Sequence, residues 1–326
     1  MHKQWHPEGL FEASSLPTLA DFSDADAKTT RKAQRALSSA VHHDGWLRMR
    51  EAARSMGVRE EIRTLSVSQP TAGAPFNMLP TLQRFKSDAF TVMLERRLGL
   101  PIAALRNIAG RATLRGTTVD AKGDACCNIS GDHSFRHNQV SKQWARALRR
   151  AYPGSHRFGS KTGVEVEWPR HQRFSPGARP DVVVFDAMGQ DVHLLCEVKV
   201  RSPITAGSRS QRALGASVAF GNTEPGDRTA VLLGTEDKPP KYEGALDRGH
   251  TVVLLHHDVF GGMTNEAFEL LQRADKLAKG CLDDPDSAPW TARAFLPFHA
   301  QLISAAVQRE AARQILSARA GATASA

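Results

Sequence analysis

Apolar residues recur at helical spacing in two stretches of the first hundred residues. The stretch 25–55 is rich in Ala, Arg and Leu and has few helix breakers, and the stretch 85–98 brings its phenylalanines and leucines together at roughly helical spacing. Between them, 68–80 carries three prolines and a glycine, which is typical of a loop. The first part of the chain is therefore predicted to be a helical module.

The periodicity then changes from helical to strand-like. A helix is predicted over 137–150, with Val140, Trp144 and Leu148 on one face and basic residues on the opposite face. Short alternating or β-branched runs predict strands at 164–168, 181–185, 192–200 and 251–255, and helices follow at 265–279 and 290–318. This order predicts an α/β protein: a helical N-terminal module, then a mixed sheet flanked by helices over about residues 130–280.

Two carboxylates and a lysine lie on two of these strands. Because side chains alternate along a strand, Glu197 and Lys199 point to one face and Val198 to the other, and a hairpin brings Asp181 beside them. Carboxylate and carbonyl oxygens suit Mg²⁺ or Mn²⁺, with the Val198 carbonyl as a further ligand. The lysine would act on the attacking water or the scissile phosphate. Asp181, Glu197 and Lys199 are therefore predicted to form a catalytic site whose acidic end is open to solvent.

Neighbouring polar residues have simpler interpretations. Glu165 and Glu167 share a face of the preceding strand, where a solvated surface competes with a role as an additional acidic group. His193 is expected to pack or form hydrogen bonds, and Cys196 is expected to be buried. The catalytic residues themselves have an alternative interpretation as charges of an edge strand.

Positive charge is concentrated around the same region. Between 136 and 212 the chain has 14 Lys and Arg but only 6 Asp and Glu, whereas the whole chain has a net charge of +9. Such a concentration attracts polyanions, so DNA, with RNA as a further possibility, is the expected partner. A solvated basic surface is the competing interpretation. The candidate phosphate contacts are Arg136, His137, Arg146, Arg149 and Arg179.

The motif Pro180-Asp181 followed by Glu197-Val198-Lys199 resembles the PD-(D/E)xK nuclease superfamily. More widely, FKSDAFTVMLERRLGLP, RHNQVSKQWARAL, ARPDVVVFD and CEVKV resemble the C-terminal region of non-LTR retrotransposon polyproteins that carry a restriction-enzyme-like endonuclease. The resemblance implies a restriction-endonuclease-like fold and Mg²⁺-dependent cleavage of DNA. The Tyr/Phe-x-Asp-Asp polymerase motif is absent, so the resemblance implies a chain without the reverse transcriptase part.

We divide the chain into a helical module (1–105), a knuckle-like linker (106–135), a nuclease-like domain (136–282) and a C-terminal helix and tail (283–326).

The resemblance also implies a zinc knuckle before the nuclease, and here the sequence departs from the pattern. Ala112, Leu114 and Ala125 stand about where the family has two cysteines and a histidine. The remaining candidate ligands are Cys126, Cys127, His133 and His137. Adjacent cysteines rarely ligate one metal, and the spacing is not a standard zinc pattern. A lost or rearranged zinc site is therefore expected, with His137 capping its helix or meeting phosphate instead.

Other features exclude several protein classes. No run approaches the roughly 20 apolar residues that span a bilayer, and the first residues have no apolar signal core. The four cysteines do not form a disulfide framework. An intracellular, nuclear protein is therefore expected.

Two functions remain in competition: a retroelement-derived Mg²⁺-dependent endonuclease, and a catalytically inactive nucleic-acid-binding remnant. A decaying copy without a cellular role is a third hypothesis.

Overall fold

The computed structural model describes residues 27–69, 71–77, 85–112, 116, 118–128, 133–153, 164–165, 180–204, 242–280, 282 and 293–323. Within these residues the chain forms seven α-helices and four β-strands. In chain order they are α1 (Ala27–Ser55), α2 (Val58–Val67), α3 (Ser87–Arg97), α4 (His133–Ala151), β1 (Val164–Glu165), β2 (Val182–Val184), β3 (Leu194–Arg201), α5 (Glu243–Leu246), β4 (Thr251–Asp258), α6 (Asn265–Leu277) and α7 (Phe295–Thr323). Short 3₁₀ turns lie at Ala74–Asn77, Ala103–Leu105 and Ala125–Asn128.

The chain divides into two compact units, Met1–Thr64 and Leu65–Ala326. The first contains α1, a 29-residue helix that confirms the helix predicted over 25–55. Polar pairs support this helix along its surface, such as Arg48 with Asp44 one turn earlier at 2.7 Å. The second unit contains the sheet and the candidate site.

The four strands form one mixed sheet in the order β1-β2-β3-β4. The first three strands are antiparallel neighbours, whereas β3 and β4 are parallel. The register pairs Val182 with Cys196 between β2 and β3, and Lys199 with His256 between β3 and β4. The predicted hairpin around 181–200 is thereby confirmed. The predicted mixed α/β architecture, with helices flanking a sheet, is confirmed at this level of description.

One face of the sheet is covered by three helices and is called the helix-covered face. Alternate strand residues such as Cys196, Val198 and Leu255 contribute to a core with Trp144 of α4, and residues of α6 and α7 complete it. Burial of these apolar side chains stabilises the fold at about 25 cal/mol per Å². The apolar face predicted for 137–150 is thus the face with which α4 contacts this core.

The opposite face is called the Tyr242 face. Val183, Leu195 and Leu254 pack here with Tyr242 and with Ala245 of α5. Further along the parallel pair, toward the carboxyl ends of β3 and β4, the residues on this face become polar. By strand alternation they are Glu197, Lys199 and Arg201 on β3, with His256 and Asp258 on β4. The two faces therefore differ in chemistry at the end of the sheet where the candidate site lies.

A tight turn ends β4 at this polar edge. The Asp258 carboxylate accepts hydrogen bonds from the backbone N–H groups of Phe260 (2.8 Å) and Gly262 (2.9 Å). Gly261 has φ +89°, and a Cβ added there would come within 2.0 Å of the Ser304 hydroxyl of α7. Only glycine suits this position, because it combines a left-handed backbone with close approach to a helix. The turn thereby holds the end of β4 against α7.

Most predicted boundaries lie within a few residues of the observed ones. The helices predicted at 137–150, 265–279 and 290–318 correspond to α4, α6 and α7, and the strand predicted at 251–255 extends to Asp258. The strand predicted at 164–168 is observed only at Val164–Glu165, and its remaining residues lie outside the described part of the chain. The division into four segments, 1–105, 106–135, 136–282 and 283–326, stays a prediction.

Candidate active site

The hairpin brings the three predicted catalytic residues to one end of the sheet. The backbone N–H of Asp181 donates to the Cys196 carbonyl at 2.9 Å, which places Asp181 beside the segment that carries Glu197. The Asp181 carboxylate then accepts a hydrogen bond of 2.7 Å from the Val198 N–H. Because the N–H and C=O of one strand residue point to the same side, the Val198 carbonyl also lies on the Asp181 side of β3.

Helix α4 contributes a fourth residue to this cluster. His137 Nε2 lies 2.9 Å from the same Asp181 oxygen that the Val198 N–H contacts. Burial lowers the pKa of His137, but its hydrogen bond to Asp181 and the charge of that carboxylate outweigh burial, so the pKa is raised overall. The imidazole therefore has an increased positively charged fraction beside Asp181. His137 belongs to the candidate site and not to the exposed surface of α4.

Glu197 lies inside the structure with both carboxylate oxygens engaged. Lys199 Nζ is 2.5 Å from Oε1, and the Tyr242 hydroxyl donates to Oε2. Glu197 is only 2% exposed, whereas Lys199 and Asp181 are partly exposed. The expectation that the acidic end is open to solvent is therefore wrong for Glu197. Its charge is retained inside the fold by a lysine and a tyrosine, as burial of a carboxylate demands.

Tyr242 is fixed as a hydrogen-bond donor by its environment. Burial, together with the neighbouring negative charge of Glu197, raises the pKa of the Tyr242 phenol far above its ordinary value. The hydroxyl therefore keeps its proton and donates a hydrogen bond to Glu197. The side chain is fully buried, so this contact is made in a region of low dielectric, where it is stronger than in water.

A metal ion of the predicted kind fits the donor chemistry of the site. Asp181, Glu197 and the Val198 carbonyl offer oxygen atoms, which Mg²⁺ prefers, and Mg²⁺ typically takes one or two carboxylates and keeps several waters. Among the residues that the structure describes, no cluster of three or more His, Cys, Asp or Glu could hold an ion. A metal ion bound through Glu197 would approach a carboxylate whose two oxygens already contact Lys199 and Tyr242.

Arg136 is not a surface residue. Its side chain is 1% exposed, and its guanidinium donates to Gln314 of α7 at 2.7 Å and to the Cys127 carbonyl at 3.1 Å. A third hydrogen bond, of 3.4 Å, reaches the Val200 carbonyl at the end of β3. The expectation that Arg136 contacts phosphate is therefore wrong. It joins α4, α7 and β3 from the inside.

The other predicted phosphate contacts have different outcomes. Arg146 and Arg149 are exposed on α4, as is Lys142, and their spacing of four and three residues places the three on one side of the helix. We call these three residues the basic row. Arg146 also lies over the Phe298 ring at 5.6 Å from its centroid. Arg179 lies outside the described residues.

The candidate zinc ligands are only partly described. Cys126 and Cys127 are both buried, and burial raises the pKa of Cys126 to about 12, which disfavours the thiolate that binds zinc. His137 contacts Asp181, and the side chain of His133 lies outside the described residues. The loss or rearrangement of the zinc site stays a prediction.

The expected packing roles of His193 and Cys196 are confirmed: His193 stacks on His250 at 4.7 Å, and Cys196 is fully buried.

Two site residues were missed from the sequence. Tyr242 lies 45 positions beyond Glu197, and no local spacing connects the two. His256 had a usable signal, because its register partner in the parallel pair is Lys199 and alternation then puts both on one face. That register becomes visible only once β4 is known to pair with β3.

Comparison with protein-family models finds no matching family, and comparison with curated proteins and with solved structures finds no similar chain. Within the described residues, no helix is long and apolar enough to cross a membrane.

Proposed function

We propose that the chain is a metal-dependent DNA endonuclease of the PD-(D/E)xK type, derived from a non-LTR retroelement and built on a restriction-endonuclease-like fold. The observation that carries the proposal is that Asp181 accepts a hydrogen bond across the β2–β3 hairpin from the N–H of Val198, the residue next to Glu197, while Lys199 contacts Glu197. These are the two carboxylates and the lysine of the sequence motif. A metal-dependent nuclease needs such oxygen ligands beside a cationic group.

Each side chain has a distinct proposed role. Asp181 and Glu197, with the Val198 carbonyl, would hold Mg²⁺ or Mn²⁺. The bound metal would lower the pKa of a water molecule and offset negative charge on the scissile phosphate. Lys199 places an ammonium where charge develops during phosphodiester cleavage. Tyr242 fixes the orientation of the Glu197 carboxylate by its hydrogen bond.

The basic row supplies the proposed DNA-binding surface. Lys142, Arg146 and Arg149 are exposed on α4, while His137 near the start of the same helix contacts Asp181. One rigid helix therefore connects the exposed cations to the candidate catalytic residues. Contacts of this kind bind the phosphate backbone without reading base sequence.

A second candidate function is a nucleic-acid-binding remnant without catalysis. It is favoured by a specific observation: Glu197 is buried, and Lys199 and Tyr242 each engage one of its oxygens. In that case the carboxylate and the lysine are a structural ion pair, and the basic row alone carries the function. The two candidates differ in whether the protein cleaves the DNA that it binds.

The test combines cleavage and binding in the same proteins. Wild-type protein should nick supercoiled plasmid in Mg²⁺ or Mn²⁺ and not in EDTA. Asp181→Ala should abolish nicking but bind a duplex oligonucleotide with nearly unchanged affinity, because affinity comes mainly from phosphate contacts elsewhere. Lys199→Ala should lose cleavage and retain Mn²⁺ binding, because the lysine is no metal ligand.

Matched substitutions on α6 control for non-specific effects. Glu269→Gln and Lys276→Met alter an exposed carboxylate and an exposed lysine away from the site, and both variants should cleave like wild type. Salt-dependent DNA binding by a wild-type protein that cleaves no form of DNA would favour the binding remnant. Cleavage that persists in Asp181→Ala would place the chemistry at other residues.

A further inference from the structure

His256 occupies an unusual position on the Tyr242 face. It is the direct register partner of Lys199 in the parallel β3–β4 pair, and neighbouring strands lie about 4.8 Å apart. The ring is 1% exposed, and neither ring nitrogen has a hydrogen-bond partner within the described part of the chain. Unpartnered buried polar groups cost free energy and are uncommon in native proteins. Such a group beside a candidate catalytic lysine calls for a functional explanation.

The charges around His256 keep its ring neutral. Burial is the main cause that lowers the pKa of His256 to about 4, and the positive charges of Lys199 and Arg201 lower it further, while Glu197 acts in the opposite direction. A neutral imidazole has one nitrogen that accepts a hydrogen bond. His256 is therefore an acceptor located next to an ammonium group that is currently paired with a different residue.

Lys199 has a reason to leave its present partner. Its ammonium is 2.5 Å from Glu197 Oε1, and a divalent cation bound to that carboxylate would repel it. The lysine side chain has four rotatable bonds and three N–H donors, so it can change partner without movement of the backbone. The Lys199 side chain is 30% exposed, so an ammonium released from Glu197 is partly solvated and can exchange the carboxylate for a nearby acceptor.

We propose that His256 is a positioning residue for Lys199, and that its ring accepts a hydrogen bond from the Lys199 ammonium when that ammonium leaves Glu197. The catalytic meaning of this exchange rests on the proposed nuclease function, but the exchange itself does not. It gives the lysine two defined positions, one that neutralises Glu197 and one that leaves the carboxylate available. Glu197 holds the ammonium in the first state and His256 holds it in the second, so the ammonium stays at the polar end of the sheet in both.

The exchange can be tested in protein that contains no metal. Glu197→Gln removes the negative charge that retains Lys199, while the amide oxygen can still accept from Tyr242. The ¹⁵N chemical shifts of the His256 ring, assigned by comparison with His256→Phe, should then change in the direction of a nitrogen that accepts a hydrogen bond. The change should disappear in Glu197→Gln/Lys199→Met. An unaltered His256 ring in Glu197→Gln, or the same change in the double variant, would overturn the proposal.

A second arm uses Mg²⁺ alone as the probe. Adding it to wild-type protein should shift the same ring nitrogen, and Lys199→Met should abolish that shift. A shift that persists in Lys199→Met shows that Mg²⁺ acts on His256 without the lysine and overturns the proposal, as does a wild-type ring that does not respond when calorimetry shows that Mg²⁺ is bound. If wild-type protein cleaves no DNA, the proposed nuclease function fails, while the ring shifts in Glu197→Gln still decide whether His256 receives Lys199.

Cleavage measurements add the functional consequence. His256→Phe keeps the ring volume but removes the acceptor, so the rate of the cleavage step should fall about 10-fold, the effect of removing one hydrogen bond to a charged group. Its DNA affinity and its thermal stability should not fall, and His256→Gln should recover part of the rate. His299→Phe is the matched control, since His299 is also buried and its ring contacts Phe295 and Phe298. An equal loss in both Phe variants, or loss of stability together with activity in His256→Phe, would indicate a structural ring only.

Discussion

The two faces of the sheet are formed by the same strands but differ in the polarity of their side chains. On the helix-covered face, alternate residues of β3 and β4 are apolar and pack with Trp144 and the other core residues of α4, α6 and α7. On the Tyr242 face, the same strands change from apolar to charged along their length, from Leu195 to Glu197 and Lys199. The difference indicates that the first face carries stability, whereas the polar end of the second is retained at an energetic cost. Stability and activity should therefore respond to substitutions on opposite faces.

The largest effect should come from the helix-covered face. Trp144→Ala removes a fully buried side chain and the hydrogen bond of 2.9 Å from its indole N–H to His257 Nε2. We expect a loss of about 3–5 kcal/mol in the free energy of unfolding, measured by urea denaturation. A loss below about 1 kcal/mol would show that this face is not the main source of stability.

Acidification should be the next largest effect, and it acts through His256 on the Tyr242 face as well as through two other buried histidines. Burial lowers the pKa of His257 to about 3 and that of His299 to about 4. The unfolded chain binds protons at about pH 6.5, so it holds more protons than the folded chain below that value, and acid favours unfolding. Above about pH 6.5 these histidines are neutral in both states, so they do not reduce stability. By about pH 5, protonation of each histidine in the unfolded chain lowers the free energy of unfolding by roughly 2 kcal/mol.

Asp258 acts in the opposite direction over the same range. Burial raises the pKa of Asp258 to about 6, so its protonation favours the folded state as the pH falls through that value. The free energy of unfolding should nevertheless decrease between neutral pH and about pH 5, because three buried neutral histidines, His256, His257 and His299, oppose one carboxyl group. His299→Phe should make this decrease smaller by roughly 2 kcal/mol, the contribution of one histidine. Stability that is unchanged or higher at the lower pH would contradict the assignment of neutral buried histidines.

A smaller effect is expected from Tyr242→Phe on the opposite face. The substitution removes the hydroxyl that donates to Glu197 and leaves the ring in the core. The free energy of unfolding should fall by about 1–2 kcal/mol, while Mg²⁺-dependent cleavage should fall more strongly, because the carboxylate loses its fixed orientation. If stability falls and the cleavage rate does not, Tyr242 has a structural role only.

The basic row should affect stability least. Arg146→Ala/Arg149→Ala alters two exposed side chains, so the free energy of unfolding should change by no more than about 0.5 kcal/mol per residue. Affinity for duplex DNA should fall, and the slope of log affinity against log salt should decrease by about one unit for each phosphate that the variant no longer binds. Arg273, which is exposed on α6, provides the control substitution. An equal loss of affinity with Arg273→Ala would show that the loss comes from the lower net charge of the protein and not from a specific DNA-binding surface.

The sequence predicted the elements that local periodicity controls. Alternation placed Glu197 and Lys199 on one face, and the hairpin follows from two apolar runs separated by turn residues. Arg136 has two conflicting signals. It precedes Val140 and Trp144 by four and eight positions, so helical spacing puts it on the buried face of α4, whereas its charge favours an exposed position. Long positively charged side chains enter a core when enough acceptors are available there.

The contacts that could not be predicted all depend on tertiary structure. Tyr242 reaches Glu197 from a distant part of the chain, and the gap between them includes no periodic signal that fixes its position. His137 meets Asp181 because α4 packs on the sheet in a particular orientation. Glu197 is buried where Lys199 and Tyr242 each engage one of its oxygens. Periodicity determines which face a residue occupies, but it does not determine what covers that face.

The measurement that tests the account most directly is the rate of Mg²⁺-dependent plasmid nicking by wild type and Glu197→Gln, taken together with their thermal stabilities. We expect wild-type protein to nick and the variant to be slower by roughly 100-fold or more, with little change in melting temperature, because Tyr242 retains an acceptor and Lys199 is partly exposed. Nicking at equal rates in both proteins, or no nicking by wild type in Mg²⁺ or Mn²⁺, would contradict a catalytic role for the polar end of the sheet. A large loss of stability in Glu197→Gln would instead identify a structural ion pair.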